Sequence, residues 1–484
     1  MRTSSNDPSP DDPHAGRQSR SDGPESVPPG EPDDDVIEFA EHVEGDGATA
    51  ESLDLVEAPE TAEIAEAEEV VVAELIDDDD IPVTEGSPDS KSASPPSTPA
   101  TPPPPPRQIV LLGAGHTHLQ ILKWWRRRPV PGTELTLVSA FDHAAYSAML
   151  PSTLATLYRP DEMLIDLPKL CHYCGVRLVV DRANRLEPES RTIEFAHQPT
   201  MTFDLASVDI GSVPASESLW QSHRILISVK PLSTFLRRFE VRFRELVEQW
   251  RMAPGPEMLQ IVVVGAGASG VELALCLEQH KHELELPADV RLVDGNKSIL
   301  ADFSPGTIRR VEKLLKLRGI DRSLGSPVVA CDDEGPGHLV LQSGKRVRAD
   351  LVIWAAGAAP PMALRGFNLP KSPRGFLATR TTLQTTADAP VFVTGDAADF
   401  EEYDLPKAGV YAVRQAPVLW HNIRNLLDEK PLAKFHPQTS FLRLLSCGDG
   451  TAIMDYKGWT FHNSWAWALK RWIDRRWVRQ FQVR

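Results

Sequence analysis

Between residues 107 and 300 the chain alternates two patterns. Short apolar runs rich in β-branched residues give way to longer stretches whose apolar residues recur every three or four positions. The runs predict strands over 108–112, 134–139, 176–181, 259–264 and 290–294. The stretches between them predict helices over 116–127, up to Cys174, over 233–251 with Ser233 as N-cap, and over 269–279. Two later runs, 350–357 and 391–396, return the chain to strands. Strands separated by helices make parallel pairing the natural arrangement, so the expected class is α/β with doubly wound sheets.

The pattern occurs twice. QIVLLGAGHTHLQ from Gln108 matches QIVVVGAGASGVEL from Gln260, and FDLASVDIGSVP from Phe203 matches ADLVIWAAGAAP from Ala349. Two matches in the same order imply two copies of one Rossmann-like dinucleotide-binding module, the second inserted within the first. The expected boundaries are 107–230 and 349–430 for the first module and 231–348 for the second. Residues 431–484 form a smaller C-terminal segment.

Charge changes the picture at the N-terminus. Residues 1–106 hold 28 acidic and 4 basic residues and 18 of the 42 prolines. Subtracting the 28 from the 68 acidic residues of the chain leaves 40 beyond the tail, against 47 basic ones, so the net charge of −17 belongs to the tail. Such a segment buries too little apolar surface to offset its ordering entropy and is expected to be disordered. One patch, Ile64 to Ile76, is apolar enough for a transient helix or docking motif. The N-terminus shows no apolar signal region and no run long enough to span a bilayer. Five scattered cysteines suit a reducing, cytoplasmic compartment, and no motif points to nucleic acid.

The two glycine turns carry the first chemistry. Gly265, Gly267 and Gly270 form a full G-x-G-x-x-G between strand and helix, the arrangement that brings a pyrophosphate to a helix N-terminus. Asp294, at the end of the next strand, suits the ribose hydroxyls and disfavours a 2′-phosphate, which favours NADH over NADPH; Arg291 and Lys297 nearby moderate this. The first turn, Gly113, Gly115 and His118, departs from the pattern. His118 replaces the third glycine and Ser139 replaces the ribose acid. His116 and His118 read equally as nucleotide contacts or as packing residues. Gly211 and Gly357, at equivalent positions of the second matched pair, complete the turns facing the nucleotides.

Later motifs point to a second cofactor. VFVTGDAADF ends a strand in Gly395 and Asp396, and PKAGVYAVRQAP then starts a helix near Gly409 and Val410. With GAGHTH at Gly113, LVSAFDHAAYSAMLP ending at Pro151, DIGS ending at Ser212, VKP ending at Pro231 and W-x-x-K-R-W-I-D-R-R-W near the C-terminus, the chain resembles the pyridine nucleotide-disulfide oxidoreductase superfamily. Within it, it is most similar to the type II NADH dehydrogenase-like branch and a subfamily also found fused to selenide, water dikinase. The resemblance covers about residues 107–484. It implies non-covalent FAD in the first module, with Asp396 on the ribityl chain, Gly395 admitting the pyrophosphate, and the helix from Gly409 facing the reduced flavin.

The acceptor is less directly written. Cys171 and Cys174 form the only C-x-x-C, far from the position after the second strand, Ala145 to Met149, where a flavin-reducible pair belongs. They read as ordinary thiols, and a metal site would need further ligands. Electrons are therefore expected to pass from NAD(P)H through FAD to an external acceptor, with quinone leading. Tyr146, Met149 and Pro151 are expected to line the flavin, and Lys407 and Gln415 to act beside it; a solvated loop lysine is the plainer reading of Lys407. The alternatives are a flavin-containing regulatory partner docked through the acidic tail, and a reductase serving selenium or sulfur metabolism.

At the C-terminus Trp465, Leu469, Ile473, Trp477 and Phe481 fall at i+4 steps, flanked by Lys470, Arg471, Arg475, Arg476 and Arg479 with Asp474 opposing. The stripe suits either a helix lying on an anionic membrane, making the protein peripheral, or packing on the first module or on a homodimer partner.

Overall fold

The computed structural model describes residues 104–215, 224–254, 257–332 and 337–483. The acidic tail and its Ile64–Ile76 patch lie outside the described residues.

The chain begins with β1 (Arg107–Leu112), α1 (His116–Arg127) and β2 (Thr133–Ser139), then β3 (Arg177–Val180) and β4 (Leu205–Val208). It crosses by β5 (Leu226–Ser228) and α2 (Leu232–Met252) to β6 (Leu259–Val264), α3 (Ala268–Glu283), β7 (Ala288–Val293), β8 (Asp321–Ser323) and β9 (Leu351–Trp354). It then returns through β10 (Val391–Val393) and α4 (Gly409–Leu427), and ends in β11 (Arg443–Ser446), β12 (Ala452–Tyr456), β13 (Trp459–Asn463) and α5 (Ser464–Arg479).

Two five-stranded parallel sheets result, ordered β10-β4-β1-β2-β3 and β5-β9-β6-β7-β8. Parallel strands covered on both faces need continuous apolar runs, and β1, β6 and β9 are buried almost throughout. The duplication is visible bond by bond. Asp204 accepts the Gln108 N–H at 2.7 Å and Asp350 accepts the Gln260 N–H at 2.8 Å, so each acid caps the start of its module's first strand. Gly113 donates to Val138 and Gly265 to Val293, both at 2.8 Å.

Helix α2 starts one residue earlier than the sequence pattern predicts. Its N-cap is Pro231, with no side-chain bond, and Ser233 lies inside the first turn. Proline tolerates this boundary because it has no N–H to satisfy.

The C-terminal segment is more than an amphipathic helix. The antiparallel sheet β11-β12-β13 precedes α5, whose N-cap Asn463 accepts the Ala466 N–H at 2.8 Å. The tryptophan stripe faces protein: Leu469, Trp477 and Phe481 are buried, and Trp465 and Ile473 are half-buried. This overturns the membrane-facing reading of the stripe in favour of packing. The apolar surface packs on the sheet β11-β12-β13 and against the first module, which also receives charged groups. Lys470 and Asp474, buried at 4 % and 2 % exposure, pair at 3.1 Å. Lys470 also donates to the Ala148 carbonyl at 3.0 Å, Tyr158 donates to Asp474 at 3.1 Å, and Arg475 meets Glu162 at 2.8 Å.

Removing one partner of a buried pair strands the other charge. Asp474→Ala should therefore lower the unfolding free energy by about 3 kcal/mol or more, read as a drop in the urea midpoint at unchanged m-value. A loss below about 1 kcal/mol would show that the pair behaves as a solvent-exposed one.

Candidate active site

The glycine turns follow β1 and β6 at the carboxyl edges of the sheets, where ligands of parallel α/β sheets bind. In the second turn, a Cβ on Gly270 would collide with the Gly265 carbonyl, so helix and strand meet with no room for a side chain. The first turn solves the same problem differently. His118 is fully buried, its Nδ1–H donating to the Gly113 carbonyl at 2.7 Å and its Nε2 meeting the Ser207 hydroxyl at 2.8 Å. Burial pushes the imidazole down to about 4, so it stays neutral. His118 is thus a packing residue behind the turn, which corrects its expected cofactor role.

Above the first turn lies a cavity of about 350 Å³, walled by Gly113, Gly115, His116, Ser139, Tyr146, Gly211, Ser212, Lys230, Gly395, Asp396, Gly409 and Trp477 among others. A second cavity of about 420 Å³ shares Gly113, Ala140, Ile210 and Pro361 with it and runs on to Asp181 and Arg182 beyond β3. An elongated ligand can span both. The expected contacts His116, Ser139, Gly211, Gly395, Asp396 and Gly409 are thereby brought together on one wall system. Tyr146 joins them: its ring lies 5.6 Å from His116 and 6.0 Å from Trp477, and Trp477 stacks on His116 at 5.7 Å. Burial, then the neighbouring Asp474, holds the Tyr146 hydroxyl well above its usual range.

The structure places other expected residues outside the cavity wall. Pro151 and Met149 are buried in and beside the short helix Leu150–Leu154, behind the cavity wall rather than in it. Val410 packs against the core one residue past Gly409. Gln415 is buried, and its Oε1 accepts the Gly395 N–H at 2.7 Å, so it shapes the Gly395–Asp396 turn instead of meeting a substrate. Lys407 pairs with Asp399 at 2.7 Å, donates to the Ala398 carbonyl at 2.5 Å and lies over the Phe376 ring. It fixes the loop before α4. The cation of the cavity is Lys230 of the VKP segment, held by Ser212 at 2.6 Å and Asp396 at 3.1 Å. The sequence did not single it out; only the VKP segment that holds it was part of the resemblance.

In the second module Asp294 follows β7, its Oδ2 accepting the Ala266 N–H and its Oδ1 the Asn296 N–H, both at 2.6 Å. Gly267 is exposed at the start of α3, and Gly357 adopts a left-handed φ of 65° against Ala215. Cys171 and Cys174 are buried near the C-terminus of their helix, and burial pushes their thiols up to about 12 and about 11. Neither lies in the cavity wall.

The sequence profile of a family described as pyridine nucleotide-disulphide oxidoreductase matches residues 107–422, which takes in both glycine turns and the Gly395–Asp396 turn. The chain belongs to this family. It is an oxidoreductase that uses FAD and NAD(P)H. A type II NADH:quinone oxidoreductase of Staphylococcus epidermidis is 24% identical over 373 residues, covering 72% of this chain and 90% of its own. Among solved structures, NDH2 of Plasmodium falciparum superposes with a TM-score of 0.66 at 13% identity, covering 78% of this chain and 97% of that one. The sulfide:quinone oxidoreductase of Aquifex aeolicus gives 0.64 at 16% identity, covering 78% and 92%. These two likenesses carry the fold.

The residues present fit the family's flavin. Glycines at 113, 115 and 395 let the turns close onto Asp209 without a side chain between, and the cavity carries a cation, a carboxylate and a helix N-terminus at Gly409. Asp396→Ala should therefore release FAD, seen as flavin lost on gel filtration. Lys407→Met should keep FAD but lower the melting temperature, since buried Asp399 loses one of its two cations and keeps only Arg374. A Lys407→Met protein with normal stability and slowed flavin reduction would return Lys407 to the site.

Proposed function

We propose that the protein oxidises NADH through non-covalent FAD bound across the two cavities and passes the electrons directly to a quinone. The observation that carries this is the composition of the cavity wall. Over Ala145 to Met149, where a flavin-reducible pair would stand, the residues that line the cavity are Ala145, Tyr146 and Ser147, with no thiol among them. The C-x-x-C thiols are buried elsewhere and held protonated. The relatives named type II NADH:quinone oxidoreductase support the same acceptor.

When bound, FAD supplies the hydride acceptor; the chain's own work is to orient and exclude. The second module presents the dinucleotide turn, with Asp294 free to accept further hydrogen bonds on each oxygen beyond its one backbone partner. Of the two cations three residues away, Arg291 is engaged with Asp321 at 2.7 Å and Lys297 is exposed; the carboxylate makes NADH the favoured donor. Trp477 and His116 stack on each other in the wall of the first module's cavity.

A quinone dissolves in the bilayer, and the outward face of α5 suits a membrane surface. Arg471, Trp472, Arg476 and Arg479 are exposed there, Trp472 at 42 %, and Trp459 on β13 is exposed at 59 %. No helix among the described residues is long and apolar enough to cross a membrane. The contact is therefore peripheral, made by the face opposite the buried stripe.

Under anaerobic conditions NADH should bleach the flavin and a short-chain quinone should restore its colour at a rate that supports turnover. Reoxidation by disulfides but not by quinone would refute this acceptor. Asp294→Ala should lower the NADH-to-NADPH preference about tenfold, equivalent to about 1.4 kcal/mol; an unchanged ratio would remove Asp294 from the ribose site.

A further inference from the structure

Besides His118 in place of Gly270, the two modules differ by a carboxylate at the start of their first helices. Asp209 and Ala355 occupy equivalent positions just past β4 and β9. Each donates its N–H to the last carbonyl of the adjacent strand, Asp209 to Leu112 and Ala355 to Val264, both at 2.8 Å. Where Ala355 has a methyl group, Asp209 has a carboxylate at 3 % exposure. Its Oδ2 accepts the N–H groups of Thr117 at 3.0 Å and His118 at 3.3 Å. These are first-turn donors of α1, the groups that a helix following a glycine turn offers to a phosphate. A Cβ on Gly115 or on Gly395 would collide with the same carboxylate. The acid is wedged between the glycine turn and the Gly395–Asp396 turn, in the cavity wall.

We propose that Asp209 is a positioning residue for FAD: it holds the α1 N-terminus as a carboxylate before the dinucleotide enters, and binding of the FAD pyrophosphate takes up one proton from solvent at its carboxyl. The proposal rests on placing FAD in the first module.

The charges around Asp209 set the direction. His116 faces it from α1, Asp396 from the turn after β10, and Lys230 from the segment after β5. Lys230 is already shared between Asp396 and Ser212. Burial pushes the Asp209 carboxyl up to about 6, Asp396 adds to the push, and His116 and the two N–H groups oppose it. Burial also holds His116 below its usual range, which weakens that opposition near neutral pH. A pyrophosphate adds negative charge beside the carboxyl and raises it further. A group whose pKa rises on binding favours the complex at low pH. Below about 6 the carboxyl is already protonated, and the affinity is flat. Above that, binding must draw a proton, and the affinity falls towards tenfold per pH unit.

The test uses the FAD-loaded full chain, diluted between about pH 5 and about pH 8, with flavin fluorescence reporting release. The wild-type dissociation constant should stay flat at the acid end and climb above it. Asp209→Asn should bind FAD more tightly than wild type at the alkaline end, with no such climb. Calorimetry of FAD binding to flavin-stripped wild-type protein, in two buffers of different ionisation enthalpy, should show about one proton taken up per FAD at the alkaline end; this readout needs no variant to fold. No proton uptake, or a climb that persists in Asp209→Asn, overturns the proposal. If Asp396→Ala also keeps its flavin, the failure lies with the placement of FAD itself and not with the role of Asp209.

Discussion

Both nucleotide modules depend on backbone meeting backbone where a strand turns into a helix. A Cβ on Gly113 would strike the Asp209–Ile210 backbone, one on Gly265 the Ala355–Ala356 backbone, and one on Gly270 the Gly265 carbonyl. These contacts bring the central strand, its neighbour and the following helix to one point at the carboxyl edge of each sheet. The helix N-terminus then stands at the mouth of the ligand site with its first N–H groups unspent by the helix. The groups proposed to recognise a dinucleotide sit at that point: Asp294 in one module, Asp209, Ser212 and Asp396 in the other.

From the same constraint follows the use of the C-terminal segment. The cavity proposed to take the flavin opens at the sheet edge, and α5 supplies part of its wall. The helix carries a lysine–aspartate pair into the interior, where Ala148 and Tyr158 of the first module complete its hydrogen bonds. Glu272 of α3 lies buried nearby, accepts the Ser446 N–H at 2.8 Å, and is pushed up to about 7 by burial. The C-terminal segment thus ties the first module to the second through polar groups. Trp477, the one α5 residue in the cavity wall, is placed by that anchoring.

The repeated motifs made the fold legible. Strand runs, glycine turns and the Asp204–Asp350 pair are local signals with one geometric meaning each, and the sheets follow them. Residues whose role depends on a distant partner were not legible. Lys407 and Lys230 are both loop lysines by sequence; only Asp399 and the Phe376 ring on one side, and Ser212 and Asp396 on the other, separate structural from cavity-facing. Gln415 was expected to act beside the flavin, and it holds the Gly395–Asp396 turn instead. The α5 stripe has the same period whether it meets lipid or protein, and periodicity could not choose between them. Asp209 was hidden because an acid at a strand end is unremarkable until the copy with Ala355 is superposed on it.

The central claim is that the two turns divide the cofactors, FAD to the first and NADH to the second. Gly270→Val tests it most directly, because the added side chain closes only the second turn. The purified variant should hold a full complement of FAD that dithionite bleaches and NADH does not. A variant whose flavin is bleached by NADH at the wild-type rate, or one that loses its FAD, would contradict the division.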